Sequence, residues 1–118
     1  MRRRPRGLVD VVDETFIRAE PRTVRAALEE PGVLDALWPG LERELVQDRG
    51  AKGVRWWTGG EVTGRLEIWL EEVRGGTVVH HFVRGEQRAG PRRWERAHRR
   101  RWKSGVHAIK DRLEGRSL

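Results

Sequence analysis

The chain has 118 residues, no cysteine, six tryptophans, two phenylalanines and no tyrosine. This length suits one domain with a single core and room for one pocket, and the missing cysteine excludes disulfides and thiolate chemistry. The net charge of +7 is uneven: residues 1–6 carry +4, residues 7–83 carry −5 and residues 84–118 carry +8, so a mildly acidic body has basic ends that permit contact with a polyanion.

The opening "MRRRPRG" is followed by no apolar signal core, and no apolar run approaches the roughly 20 residues needed to span a membrane. The expectation is a cytoplasmic protein: a basic disordered tail over residues 1–7, then one domain over residues 8–116. "LVDVVDETFIRAEP" is rich in Val, Ile, Thr and Phe and reads as a strand. Val12, Glu14 and Phe16 share one face; Val9, Val11, Asp13, Thr15 and Ile17 share the other. The imperfect alternation leaves the inward face open. Helical spacing follows at Val24, Ala27 and Leu28, with Pro21 in the first turn and Pro31-Gly32 as the stop. Val33, Leu34, Leu37 and Trp38 form a second short apolar helix before Pro39-Gly40.

From Leu41 the period changes to two, and Gly-containing turns separate four segments, which makes an antiparallel meander. In "EVTGRLEIWLEEV", Val62, Gly64, Leu66, Ile68 and Leu70 form the core face. A two-residue Arg74-Gly75 turn pairs Val73 with Gly76. It sets Leu70, Ile68 and Leu66 opposite Val79, His81 and Val83, and sends His80 and Phe82 outward beside Trp69 and Glu67. In "GVRWWTGG", adjacent tryptophans must point to opposite faces. A two-residue turn would send Trp57 inward. A three-residue loop, Gly59-Gly60-Glu61, would pair Trp56 with Gly64, turn Trp56 inward over the surface that this glycine bares, and leave Trp57 outward. The second register is preferred. The final segment is one long helix with Trp94, His98, Trp102, Val106, Ile109 and Leu113 as an apolar stripe, a basic outer face, and Gly115 as the C-terminal cap. The predicted fold is α+β: a curved antiparallel sheet of five or six strands gripping a long C-terminal helix, with two short helices after the first strand.

This order resembles the helix-grip fold of the START-like or SRPBCC superfamily, and within it the small actinobacterial polyketide cyclase/dehydrase-like branch. The resemblance rests on "DVVDETFIRAEPRTVRAAL", "DRGAKGVRW", "GRLEIWLEEV", "GTVVHHFVRGE" and "RRWKSGVHAIKDRLEG", and covers about Val9 to Gly115. It implies a cavity between sheet and helix that holds a lipid, polyketide or other apolar molecule, with cyclase or dehydratase activity in some relatives. The branch has no common reaction, so the resemblance assigns no catalytic residue. The short "EQRAGP" link before the long helix departs from the larger relatives and puts part of the cavity volume in question.

On the residues alone, Trp56, Leu66, Ile68, His81, Trp94, His98, Trp102 and Gly105 would lie between sheet and helix, with Trp38 near the entrance. They are either the wall of a ligand site or the filling of a small core. Gly105 either allows a close approach of a strand or a ligand or is simply tolerated within the helix. His81 and His98 could form a polar pair, with His98 as a general acid or base; the alternative is two hydrogen-bonded core histidines. Glu14, if inward, could be a base or anchor partnered by Arg55 or Arg43. Adjacent His80 and His81 point apart and cannot share a metal, and no zinc-type spacing occurs, so neither metal nor other cofactor is expected. Two functions follow: binding of a small hydrophobic or aromatic ligand, with any chemistry being non-covalent acid/base, or a basic module whose arginine-rich helix binds nucleic acid or a protein. The outward Trp57, Trp69, His80 and Phe82 admit a homodimer contact, stacking on single-stranded nucleic acid, or plain cross-strand packing.

Overall fold

The structure is a computed structural model that describes residues 7–115. Of the tail expected over residues 1–7, residues 1–6 lie outside the described residues, as does the expected end of the domain at residue 116.

Strand β1 (Leu8–Ile17) leads through Pro21 into α1 (Pro21–Leu28) and, after the Pro31-Gly32 break, α2 (Val33–Leu37). Strands β2 (Leu41–Asp48), β3 (Gly53–Gly60), β4 (Thr63–Val73) and β5 (Gly76–Glu86) form the meander, and α3 (Pro91–Leu113) closes the chain. One five-stranded antiparallel sheet results, in the order β1-β5-β4-β3-β2. The first strand returns to pair with the last, so β1 and β2 are the edges. The inward face of β1 is the one carrying Val9, Val11, Thr15 and Ile17, all buried, while Val12 and Phe16 are exposed.

The β4–β5 hairpin has the expected register: Val73 opposes Gly76, Ile68 opposes His81 and Trp69 opposes His80. The β3–β4 hairpin keeps the expected facing but not the expected pairing. Trp56 opposes Leu66, and Thr58 opposes Gly64. The loop is longer by two residues, because Gly59 and Gly60 stay paired with Glu42 and Leu41 of β2 rather than with β4. A shift of two preserves the face, so Trp56 turns inward and Trp57 outward. Gly64 is therefore not covered by Trp56. A Cβ there would lie 2.1 Å from the Arg84 carbonyl oxygen and 2.5 Å from the Gly85 Cα, so the missing side chain permits close approach of β5.

The α3 stripe packs on the sheet as its spacing predicts, with His98, Trp102, Val106 and Ile109 buried. A second stripe, one residue further round the helix, was not foreseen. Glu95 accepts from the Asp10 amide (2.8 Å) and Glu114 from the Arg18 amide (2.8 Å). Arg99 donates to the carbonyls of Asp10 and Val12, Lys103 to that of Glu14 (3.2 Å) and Lys110 to that of Phe16 (2.6 Å). These side chains engage the outer carbonyls of β1 and the Asp10 amide and cover the edge, which opposes pairing with another strand. Arg99, Lys103 and Lys110 of α3 therefore have a structural use. The opposite edge, β2, carries a register irregularity between Leu45 and Gln47, and its expected alternation fails there, with Leu45 and Val46 both exposed.

Candidate functional site

The space between sheet and helix is occupied by the protein's own rings. Trp94 stacks on His98 (centroids 4.5 Å apart), His98 lies against His81 (5.1 Å), His81 stacks on Trp38 (5.2 Å), and Trp38 meets Trp56 edge-on (5.4 Å). Trp102 packs beside His81 (4.2 Å) and Trp38 (6.0 Å). Trp38, His81, His98 and Trp102 each expose 1% or less of their surface. A water-sized void beside them would leave accessible area, so the middle of the stack is closed. The predicted wall residues do converge, but they fill the cavity instead of lining it.

Three placements differ from expectation. Trp38 is at the centre of the stack, not near an entrance, because the backbone turns at the end of α2 and folds its indole under the sheet. Gly105 faces α2: a Cβ there would lie 2.0 Å from the Leu37 Cδ2, so the glycine admits a helix rather than a strand or a ligand. Glu14 points to the outer face of the sheet, where its carboxylate lies 3.6 Å from His80 Nδ1; it meets neither Arg43 nor Arg55, which pair with Asp35 and Glu67. Leu66 and Ile68 are buried where predicted, beneath the stack.

The histidine pair has a defined proton arrangement. His81 Nδ1 lies 3.0 Å from the Glu67 carbonyl oxygen, and its Nε2 lies 2.9 Å from His98 Nε2. A carbonyl only accepts, so His81 carries its proton on Nδ1 and offers a lone pair at Nε2. His98 then donates from Nε2, and its Nδ1 keeps a lone pair that is buried without a partner among the described residues. Burial pushes both rings toward neutrality: His81 is held down at about 4, and His98 at about 3, with the His81, Arg101 and Arg99 charges adding to the burial effect on His98. The Trp38 indole N–H is likewise buried without a partner.

An inward carboxylate absent from the predicted site is Asp13. It accepts the Trp102 indole N–H (3.0 Å) and the Thr15 hydroxyl (3.2 Å), and pairs with Lys103 (3.1 Å). Its position on the Val9–Ile17 face was the available signal. No group of three or more His, Asp or Glu side chains able to hold a metal occurs among the described residues.

The stack reaches the surface at its two ends. At one end a cleft of about 280 Å³ is bounded by Glu61, Gln87, Gly90, Arg93, Trp94 and Arg101. Trp94 forms its inner wall and donates its indole N–H to Glu61 (3.2 Å). Neither Arg93 nor Arg101 has a carboxylate partner among the described residues. Near the other end, but opening on the outer face of the sheet with Arg55, Trp57, Arg65 and Glu67, lies a cleft of about 440 Å³ that Val46 and Trp56 also bound. There Arg55 is paired with Glu67 (3.1 Å) and Arg65 lies over Trp57 (5.3 Å). On the outer face Trp69 of β4 stacks on His80 of β5 (4.2 Å), which is cross-strand packing, and His80 stacks on Phe82 two residues along the same strand (6.2 Å), while Trp57 stands apart.

No protein-family model and no curated protein matches the chain. Among solved structures it is similar to the Aha1 dimer of Colwellia psychrerythraea (18% identity over 90% of this chain and 96% of that one, TM-score 0.67). It is also similar to protein MLL2253 of Mesorhizobium loti (15%, 92% and 99%, TM-score 0.69) and to a protein of Deinococcus radiodurans (14%, 91% and 99%, TM-score 0.64). The likeness is one of fold. It agrees with the predicted α+β arrangement of a curved antiparallel sheet gripping a long C-terminal helix. No helix among the described residues is long and apolar enough to cross a membrane.

Proposed function

We propose that this helix-grip chain binds a small aromatic or apolar molecule carrying an acidic group, at the Trp94 end of its ring stack. The observation that carries this reading is Trp94 itself: a half-buried indole at the wall of a cleft, backed by His98 and flanked by two arginines without carboxylate partners. A flat ring can add to the stack by lying on Trp94, and an anionic group can reach Arg93 or Arg101. The volume of about 280 Å³ suits a molecule of up to three rings, smaller than the polyketides and lipids that the resemblance implied, because the interior is already filled. The Trp56 end supports the reading less well, since its arginines are engaged by Glu67 and Trp57.

No reaction is part of the proposal. His81 and His98 are enclosed by rings, and Glu14 is on the other side of the sheet. The test is native mass spectrometry of the purified protein for a retained small molecule, together with titration by anilinonaphthalene sulfonate, an aromatic anion. Trp94→Ala and Arg93→Ala are each expected to weaken that probe about tenfold, the loss of roughly 1.4 kcal/mol of stacking or charge-assisted contact. Equal affinity for wild type and both variants would sink the assignment.

A further inference from the structure

The basic face of α3 divides into two parts. Arg99 and Lys103 are engaged with β1, and further along Lys110 pairs with Glu114 and Arg112 with Glu30. Arg92, Arg93, Arg96, Arg100 and Arg101 are all exposed, and none has a carboxylate partner among the described residues. For the two nearest the helix start this position costs stability. Arg92 and Arg93 stand in the first turn of α3, at the positive end of the helix dipole, where acids are favoured and cations are not, and that turn contains no acid. A local rule broken without a return inside the fold marks a surface kept for something outside it.

The geometry narrows the partner. Arg92, Arg96 and Arg100 recur every four residues, so they form one ridge with steps of about 6 Å. A regular row of guanidinium groups matches a chain of anions better than a single one. The face presents no large apolar side chain: the exposed ones are Leu8, Val12, Phe16, Leu45, Val46 and Trp57, none of them on α3. A helix lying in a membrane surface needs an apolar face to insert, and that of α3 is spent on the sheet. A protein interface needs an apolar centre, which this ridge also lacks. We infer that the Arg92–Arg96–Arg100 ridge binds the phosphate backbone of nucleic acid, without regard to base sequence.

This inference does not rest on the ligand reading, because none of the three arginines bounds the Trp94 cleft. The experiment is fluorescence anisotropy of the full chain with two labelled DNA duplexes of about 20 base pairs and unrelated sequence. With about four phosphates neutralised, affinity for both should fall about 100-fold between 50 and 200 mM salt. The triple variant Arg92→Gln, Arg96→Gln, Arg100→Gln should bind at least about tenfold more weakly at low salt, and lose only about fourfold over the same salt range. The Arg92→Lys, Arg96→Lys, Arg100→Lys variant should keep most of the affinity, and both variants should bind anilinonaphthalene sulfonate like wild type. Absence of binding at 50 mM salt would overturn the inference. So would an unchanged salt slope in the Gln variant, which would assign binding to other basic residues, or tighter binding to anionic phospholipid vesicles than to either duplex.

Discussion

Acidification tests the buried histidine pair directly. Both rings have folded-state pKa values below the unfolded value of about 6.5, held at about 4 for His81 and about 3 for His98. Below pH 6.5 the unfolded chain therefore binds two protons that the folded chain refuses. Stability is fully present above that value and is lost as pH falls toward the folded-state values. With two protons taken up on unfolding, the slope approaches about 2.7 kcal/mol per pH unit near pH 5.5, and the loss between pH 7.5 and 5 sums to about 4 kcal/mol. That is a large share of the roughly 5–15 kcal/mol typical of a domain. Carboxylates held down by ion pairs, such as Asp48 beside Arg25, add their own losses only at lower pH, so the window belongs mainly to histidine. Urea unfolding at half-unit pH steps reads the slope. His98→Phe keeps a ring between Trp94 and His81 and should halve it. A wild-type slope below about 0.7 kcal/mol per unit, half the value for one proton, would refute the neutral buried pair.

Two substitutions probe the support around the stack. Asp13→Ala removes the acceptor of the Trp102 indole N–H and the partner of Lys103; an unsatisfied buried donor should cost about 1–3 kcal/mol in chemical denaturation, and a loss below about 0.5 kcal/mol would show that the network is dispensable. Gly64→Ala drives a methyl into the Arg84 carbonyl, so β4 and β5 must separate; a loss of more than about 2 kcal/mol is expected, whereas a neutral outcome would mean the strands do not approach so closely.

The parts of the fold that local rules govern were legible in the chain. The Arg74-Gly75 turn set the β4–β5 register, so the placement of His81 inward and His80 outward followed from strand parity. The α3 stripe was readable because helical spacing repeats across six turns. The facing of Trp56 and Trp57 was readable although the loop was not, since an error of two residues keeps the face. What escaped depends on non-local partners. Glu95, Arg99, Lys103, Lys110 and Glu114 look like a solvated charged face until β1 is known to be the edge beneath them. Trp38 was placed near the entrance and not at the centre of the stack, because α2 is too short to define a direction. The filling of the cavity is a matter of summed ring volume against the span of the sheet, and only packed side chains decide that.

The most direct measurement of the proposed site is the set of tryptophan indole N–H signals in a ¹H–¹⁵N spectrum during titration with anilinonaphthalene sulfonate. The Trp94 signal should move, with backbone shifts near Glu61 and Gln87 to Arg101, while Trp38 and Trp102 stay in place inside the closed stack. Shifts confined to Trp56 and Trp57, or large shifts of Trp38 and Trp102 that report an opened interior, would contradict a ligand site at the Trp94 end of a filled core.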